Sequence, residues 1–190
     1  FLEDFTLNSF VGANRRENKY SAMSGQTVGG LVVPNLYNLG NGSSPSTVTN
    51  YDDRRRVNSL FGSVSLGYRN FFFVDATLRR DDYSTVSKGD NYPSITTSFV
   101  FSDVLKADWL SYGKLRAGWS KTANDTGPYQ LDTYLDTRQP FYYPRFSYPD
   151  TQNNPELIPE QRTIKEVGLE MSFFKRRFGF DVTYYDSVTD

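Results

Sequence analysis

Cysteine and histidine are both absent from the 190 residues of this chain. Without them the chain has no thiolate nucleophile, no Ser-His-Asp arrangement, none of the usual zinc ligand sets and no disulfide framework. The net charge is −1, and Lys and Arg are interspersed with Asp and Glu. No basic stripe is available to neutralise phosphates, which argues against nucleic acid as a partner. These absences predict a protein that is not an enzyme and that holds no cofactor or metal.

Long apolar runs are absent as well, the longest being 71–74, whereas a membrane-spanning helix needs about 20 apolar residues. The chain starts without a methionine, a basic n-region or an apolar h-region. We therefore expect any export signal to lie upstream or to have been removed. The negative mean hydropathy does not exclude a transmembrane barrel, because barrel strands alternate apolar and polar residues.

Aromatic residues are abundant, with 14 Tyr and 15 Phe, and apolar residues repeat with a period of two rather than with a helical period. In 58–68, for example, Leu60, Val64 and Leu66 alternate with small polar residues. The same alternation predicts seven strands, within 5–11, 58–68, 72–79, 93–103, 114–120, 166–173 and 178–184.

The connections between these strands alternate strictly between short and long. The short ones are 69–70, 104–112 and 174–177, and the long ones are 12–55, 83–91 and 121–162. Transmembrane barrels show this asymmetry, with tight periplasmic turns and long extracellular loops, and aromatic residues bracket the short turns as an interfacial girdle would. The pattern predicts an all-β fold, an antiparallel transmembrane β-barrel fragment of about seven strands. The odd strands run outward, and the Gly-, Asn- and Ser-rich loop 12–55 is a mobile surface.

An odd number of strands does not close a bacterial barrel, so we expect flanking strands outside this chain. Open edges in hydrocarbon would leave unpaired N–H and C=O groups, each costing several kcal/mol. The alternative is a soluble β-sandwich that binds glycans or proteins at a cell surface, which would bury the same apolar stripes against a second sheet.

Several short segments resemble, in order and spacing, the C-terminal half of SusC/RagA-type TonB-dependent transporters. The longest is 152–160 (Gln-Asn-Asn-Pro-Glu-Leu-Ile-Pro-Glu), and the sequence departs from the family pattern at Asp82, Ser120, Ala123 and Pro159. The other segments are Leu60-Phe61-Gly62 with Tyr68, 76–81, Tyr92-Pro93-Ser94, 114–117, Gly168-Leu169-Glu170, Arg176-Arg177 and 181–185.

This resemblance implies a whole protein with a barrel of about 22 strands and an N-terminal plug, energised by TonB in the outer membrane of a Gram-negative bacterium. Residues 1–190 would be part of the barrel domain, with the plug and the N-terminal domains outside this chain. The resemblance also implies a SusD-like surface lipoprotein as partner and import of oligopeptides or oligosaccharides.

Loop 121–162 is the best candidate for ligand contact, because its aromatic side chains are interleaved with charged ones. Aromatic faces stack on sugar rings or peptide side chains, and Arg pairs with carboxylates. The alternative is that these side chains pack the loop against its neighbours or against a lipoprotein. The candidates are Tyr129, Tyr134, Arg138, Phe141, Tyr142, Tyr143 and Arg145.

The strand pattern points a set of charged residues toward the barrel lumen, namely Asp75, Arg79, Lys114 and Arg116. They either line the substrate path or pair between adjacent strands, and pairing is the favoured interpretation. Glu166 and Glu170 offer a remote alternative as carboxylates of a glycoside hydrolase, but both lie on one face of one strand. Asp52-Asp53 and Asn124-Asp125 lack EF-hand spacing, so turn chemistry explains them as well as calcium does.

Overall fold

The structure is a computed structural model that describes residues 4–138, 143 and 145–190. None of these residues belongs to a helix long and apolar enough to cross a membrane. Within the described ranges, two 3-10 helices, Leu39–Asn41 and Phe101–Asp103, accompany the strands. The strands are β1 (Phe5–Leu31), β2 (Gly42–Tyr68), β3 (Phe72–Tyr83), β4 (Asp90–Val100), β5 (Leu110–Asn124), β6 (Asp136–Arg138), β7 (Arg145–Ser147), β8 (Glu160–Phe173) and β9 (Phe178–Thr189).

Seven strands form one sheet in the order β1-β2-β3-β4-β5-β8-β9, and every pair from β2 onward is antiparallel. The predicted all-β barrel fragment of seven strands is thereby confirmed. In the part of the chain that the structure describes, the other sheet consists of β6 and β7, with three residues each. Two such strands cannot cover a seven-stranded sheet, so the described residues do not form the β-sandwich of the alternative prediction.

The chain divides into two compact units, one formed by Phe1–Arg15 with Val57–Asp190 and the other by Arg16–Arg56. The larger unit contains β3 to β9 together with the adjoining parts of β1 and β2. The smaller unit contains the end of the β1–β2 hairpin and its tip.

Few side chains of the sheet are buried. Among the described residues the buried hydrophobic side chains are Val57, Val86, Tyr92, Val100 and Leu110. Most of the large apolar side chains of the strands are instead exposed. Because burial of apolar surface dominates folding free energy, another phase or molecule must cover this surface in the native setting.

The predicted short turn at 69–70 is confirmed. Arg69 and Asn70 have φ of 47° and 59°, and positive φ at both central residues gives the twist that a tight hairpin needs. The turn is tied to the start of β1, because the Arg69 N–H donates to the Asp4 carbonyl (2.8 Å) and its guanidinium donates to the Asp4 carboxylate (3.0 Å). This hydrogen bond from Arg69 lowers the pKa of Asp4 below its ordinary value.

The prediction of a loop over 12–55 is wrong. β1 continues to Leu31 and β2 begins at Gly42, so both strands run through the region and only 32–41 connects them. Most of the side chains in 16–56 are exposed on both faces of this hairpin. A hairpin with water on both sides needs no apolar face, and it therefore carries no period-two hydrophobic signal. Asp52 and Asp53 lie within β2 and not in a loop.

Other predicted boundaries shift by a few residues. The strand predicted to reach Asp103 ends at Val100, because the Phe101 carbonyl accepts N–H groups from Val104 (3.2 Å) and Leu105 (2.7 Å) and closes a helical turn. The two other long connections shorten to 84–89 and 125–159, because β3, β4, β5 and β8 each extend toward the loops. The turn at 174–177 is confirmed between β8 and β9.

Candidate functional site

One face of the main sheet, the apolar face, carries a row of mainly apolar side chains from strand to strand. In register across β2, β3, β4, β5, β8 and β9, this row is Leu66, Val74, Thr97, Ala117, Val167 and Tyr184. Many of the large side chains on this face are exposed, for example Leu60 at 58% and Val182 at 61%. An exposed apolar surface on this scale marks contact with lipid or protein.

The apolar face has limits at both ends of the strands. On β2 it extends from Leu60 to Tyr68, roughly 26 Å at about 3.3 Å per residue, which matches the lipid-facing band of about 25 Å in outer-membrane barrels. At the long-loop end, charged residues replace apolar ones in the same register, with Trp119 opposite Lys165 and Lys165 opposite Asp186.

Aromatic rings contact one another at the short-turn end of the sheet. Trp109 stacks on Phe173 with ring centroids 6.0 Å apart and planes at 14°, and Phe173 contacts Phe180. A second series runs through the first turn in the order Phe5, Tyr68, Phe71, Phe99 and Phe101. Rings at this level are typical of the interfacial girdle of a membrane barrel.

The opposite face, the polar face, carries the four predicted lumen-facing residues. Its central row in register is Ser65, Asp75, Thr96, Gly118, Glu166 and Tyr185. Arg79 lies on the same face as Asp75, and Lys114 and Arg116 lie on it through their pairing with Val100 and Ser98. The structure therefore brings Asp75, Arg79, Lys114 and Arg116 to one side of the sheet.

Arg79 and Arg116 both bind neighbouring side chains on this face. Arg79 donates to both carboxylate oxygens of Asp81 (2.8 and 3.0 Å) and to the hydroxyl of Ser59 (2.9 Å), and Asp81 and Ser59 are buried. Arg116 donates to Asp181 (2.8 Å) and to Thr183 (2.6 Å). Lys114 pairs in register with Glu170, whose own partner on β9 is Asp181. Of these contacts, Arg79 to Ser59 joins adjacent strands, Arg79 to Asp81 lies within β3, and Arg116 to Asp181 spans two strand spacings.

Arg116 reaches Asp181 and Thr183 across an intervening strand. It lies on β5, directly opposite Gly168 of β8, and β9 follows on the far side. A Cβ at position 168 would lie 2.4 Å from Arg116 Nε. The absent side chain of Gly168 thus opens the passage through which the guanidinium crosses β8.

The segment 125–159 carries the candidate ligand contacts, and the side chain of Asn153 organises it. The Asn153 amide donates to the carbonyls of Tyr129 (3.2 Å) and Asp132 (2.6 Å), and its backbone N–H donates to the hydroxyl of Thr133 (2.9 Å). These bonds join residues about twenty positions apart in the sequence. For that reason the sequence pattern did not indicate Asn153 as a structural centre.

A second anchor joins this segment to the connection 84–89. Both the backbone N–H and the hydroxyl of Ser87 donate to the carbonyl of Leu157, at 3.0 and 3.1 Å. Val86 and Thr85 beside it are buried. The sequence pattern does not indicate this role of Ser87 either, because its partner Leu157 lies seventy residues away.

The predicted ligand residues of this segment are mostly at its surface. Tyr129, Tyr134 and Tyr143 are exposed, and Arg145 lies in β7 opposite Arg138 of β6. Phe141, Tyr142 and the side chain of Arg138 lie outside the described residues. In the described part of the chain, no three acidic side chains come together as a metal site would require.

Comparison with known proteins gives related transporters and receptors. No family model matches the sequence. The chain is 25% identical over 148 residues to the TonB-dependent receptor P39 of Formosa agariphila, a match that covers 70% of this chain and 14% of that protein. The chain therefore spans only a small part of this relative.

Solved structures of the RagAB peptide transporter share the fold. One superposes with a TM-score of 0.85 at 19% identity, covering 99% of this chain and 22% of that chain. The open-open state of the RagAB peptide importer gives 0.84 at 20% identity, again over 99% and 22%. Its closed-closed state gives 0.83 at 18% identity over 98% and 22%.

These proteins are named as a receptor and as peptide transporters. The resemblance predicted from the short motifs is confirmed. In sequence the chain is similar to part of a TonB-dependent receptor, and its fold is that of part of the barrel of a SusC/RagA-type transporter.

Proposed function

We propose that the chain is part of the barrel domain of a TonB-dependent importer in the outer membrane of a Gram-negative bacterium. The observation that carries this proposal is the exposed apolar face, which has a polar, ion-paired face behind it. Lipid covers the first, and the second borders the transport path. The plug and the segment that contacts TonB belong to parts of the protein beyond these residues.

The cargo in this proposal is an oligomeric nutrient, either an oligopeptide or an oligosaccharide, delivered by a SusD-like surface lipoprotein. RagAB is a peptide transporter and importer, which supports the peptide alternative for this chain. The exposed tyrosines of 125–159 are suited to stacking on either cargo, and Arg145 is suited to pairing with a carboxylate.

Adjacent residues of β2 test the assignment of the two faces. Val64 lies on the apolar face and Ser63 on the polar face, and the chain contains no cysteine that would interfere with labelling here. In the full-length protein, with any other cysteines removed, a fluorophore is attached to Val64→Cys or Ser63→Cys. We expect a lipid-soluble nitroxide to quench the label at 64 and a water-soluble quencher to act at 63. Equal quenching of both labels from water would contradict the proposal.

Uptake measurements test the role of the segment 125–159. We expect Tyr134→Ala combined with Tyr143→Ala to lower uptake of one defined cargo, a labelled oligopeptide or a labelled oligosaccharide, and to leave the other unchanged. Tyr20→Ala, an exposed tyrosine of the smaller unit, is the matched control. Unchanged uptake of both cargoes would remove these tyrosines from the proposal.

A further inference from the structure

The tip of the β1–β2 hairpin, residues 32–41, presents a group of apolar side chains to water. Tyr37 is 85% exposed, and the other members of the group are Val32, Val33, Leu36 and Leu39. Side chains with this exposure project from the tip instead of lining a recess. A cluster of exposed apolar side chains on a polar hairpin marks an interaction site.

The tip is held in one conformation by the buried side chain of Asn41. The Asn41 amide oxygen accepts the Val33 N–H (3.0 Å), and its amide nitrogen donates to the carbonyls of Val33 (2.8 Å) and Leu36 (2.8 Å). The Val32 N–H donates to the Asn41 carbonyl (2.9 Å) and closes the base of the tip. The apolar group is therefore fixed in place before any partner binds, which lowers the entropic cost of association.

The local sequence supports the same geometry. Leu36 N–H donates to the Val33 carbonyl at 3.4 Å across Pro34 and Asn35, and Asn35 has φ of 64°. Proline followed by a residue with positive φ is typical of a type II turn. The side chain of Asn38 accepts the Gly40 N–H at 2.8 Å and begins the short helix Leu39–Asn41.

The lack of charge around the tip favours a protein over a membrane surface as its binding partner. No charged residue occurs between Tyr20 and Tyr51. Segments that dip into a membrane surface commonly place Lys or Arg beside their apolar side chains to meet anionic headgroups. The centres of protein interfaces are instead depleted of charge and enriched in aromatic residues, and this tip has no charge and presents Tyr37.

We propose that the tip docks into an uncharged apolar recess of the surface lipoprotein, with Tyr37 as its anchor. This inference rests on the proposed function, which supplies the lipoprotein, and adds the surface that binds it. An exposed aromatic side chain on a pre-organised loop is the kind of residue on which binding free energy concentrates.

The test uses the full-length transporter in its own cells, with a photo-reactive amino acid at position 37 and, as control, at position 51. Tyr51 lies in the same unit, paired with Tyr20 at 6.0 Å between ring centroids and away from the tip. We expect a lipid-anchored surface protein to crosslink from position 37 and not from 51. Crosslinking from 37 to membrane lipid, to a second copy of the transporter or to nothing would overturn the inference.

Affinity for that purified lipoprotein is then measured with variants. We expect Tyr37→Ala to weaken binding about 30-fold, as removal of a central aromatic anchor does, and Tyr51→Ala to leave it unchanged. Asn41→Ala keeps every apolar side chain but loosens the tip, and we expect it to weaken binding as well. If the wild-type protein binds the lipoprotein and Tyr37→Ala binds it equally well, the inference fails while the proposed function stands. If the wild-type protein is absent from the outer membrane, the proposed function itself fails.

Discussion

At the scale of single residues, Gly168 is a buried residue of β8 that makes room for the side chain of a neighbouring strand. The Arg116 side chain crosses it to reach Asp181 and Thr183. We expect Gly168→Val to displace the guanidinium and to lower the free energy of unfolding by about 1–3 kcal/mol through the lost hydrogen bonds. Urea titration of the full-length protein in detergent, followed by its heat-dependent shift on electrophoresis, measures this loss.

The matched control is Gly168→Val in a protein that lacks the Arg116 side chain. In an Arg116→Ala background the passage over β8 is empty, so Gly168→Val should cost much less than it does with Arg116 present. An equal loss in both backgrounds would show that Gly168 is needed for another reason, such as the path of its own strand.

At the turn residue Asn70, we expect a substitution that increases stability. Its φ of 59° lies in the left-handed region, which glycine adopts without steric cost. We expect Asn70→Gly to raise the free energy of unfolding by up to about 1 kcal/mol. The same change at Asn91, inside β4, should lower it by about 0.5–1 kcal/mol. Both values come from urea midpoints, and a loss at position 70 would contradict the turn geometry.

At the scale of elements, we predict that the larger unit folds without the smaller one. Because Arg16–Arg56 forms a compact unit by itself, we expect replacement of 16–56 by Asn-Gly to leave membrane insertion and the urea midpoint unchanged. Removal of 160–189, the β8–β9 hairpin inside the main sheet, is the control and should abolish insertion. Failure of the first variant to insert would show that the long hairpin guides folding of the sheet.

The two classes of strand differ in how well the sequence predicts them. Strands β3, β4, β5, β8 and β9 have one apolar and one polar face, and alternation indicates each of them to within a few residues. In 16–56 both faces of β1 and β2 meet water, so nothing in the pattern distinguishes a hairpin from a loop. The turn Val33-Pro34-Asn35-Leu36 was a usable local signal for the tip.

The sequence also predicts only part of the structure of the candidate ligand segment, 125–159. Its position between β5 and β8 and its aromatic content follow from the sequence. Its organisation depends on Asn153 and on the bond between Ser87 and Leu157, which join residues distant along the chain. Such contacts produce no periodic pattern in the sequence. The sequence therefore predicts where the segment lies but not its internal structure.

At the scale of the whole molecule, the proposed function makes the two faces of the sheet respond differently to charge. Leu66 and Ser65 are neighbours on β2, but Leu66 lies opposite Val74 and Ser65 opposite Asp75. We expect Leu66→Arg to destabilise the protein folded in lipid by about 2–4 kcal/mol. Ser65→Arg should cost little, since an arginine there can pair with Asp75. Folding titrations into lipid vesicles measure both, and equal costs would contradict lipid on the apolar face.

The strict two-sided register of the main sheet also restricts how such a protein can change length during evolution. A single residue inserted after Val167 would move Glu170 from the polar face to the apolar face. It would also move Leu169 and Met171 from the apolar face to the polar face. Strands can therefore gain or lose residues only in pairs, whereas 84–89, 125–159 and the hairpin tip accept any number. New cargo specificities should therefore evolve through changes in the length of those three segments, while the lengths of the strands in the main sheet stay nearly constant.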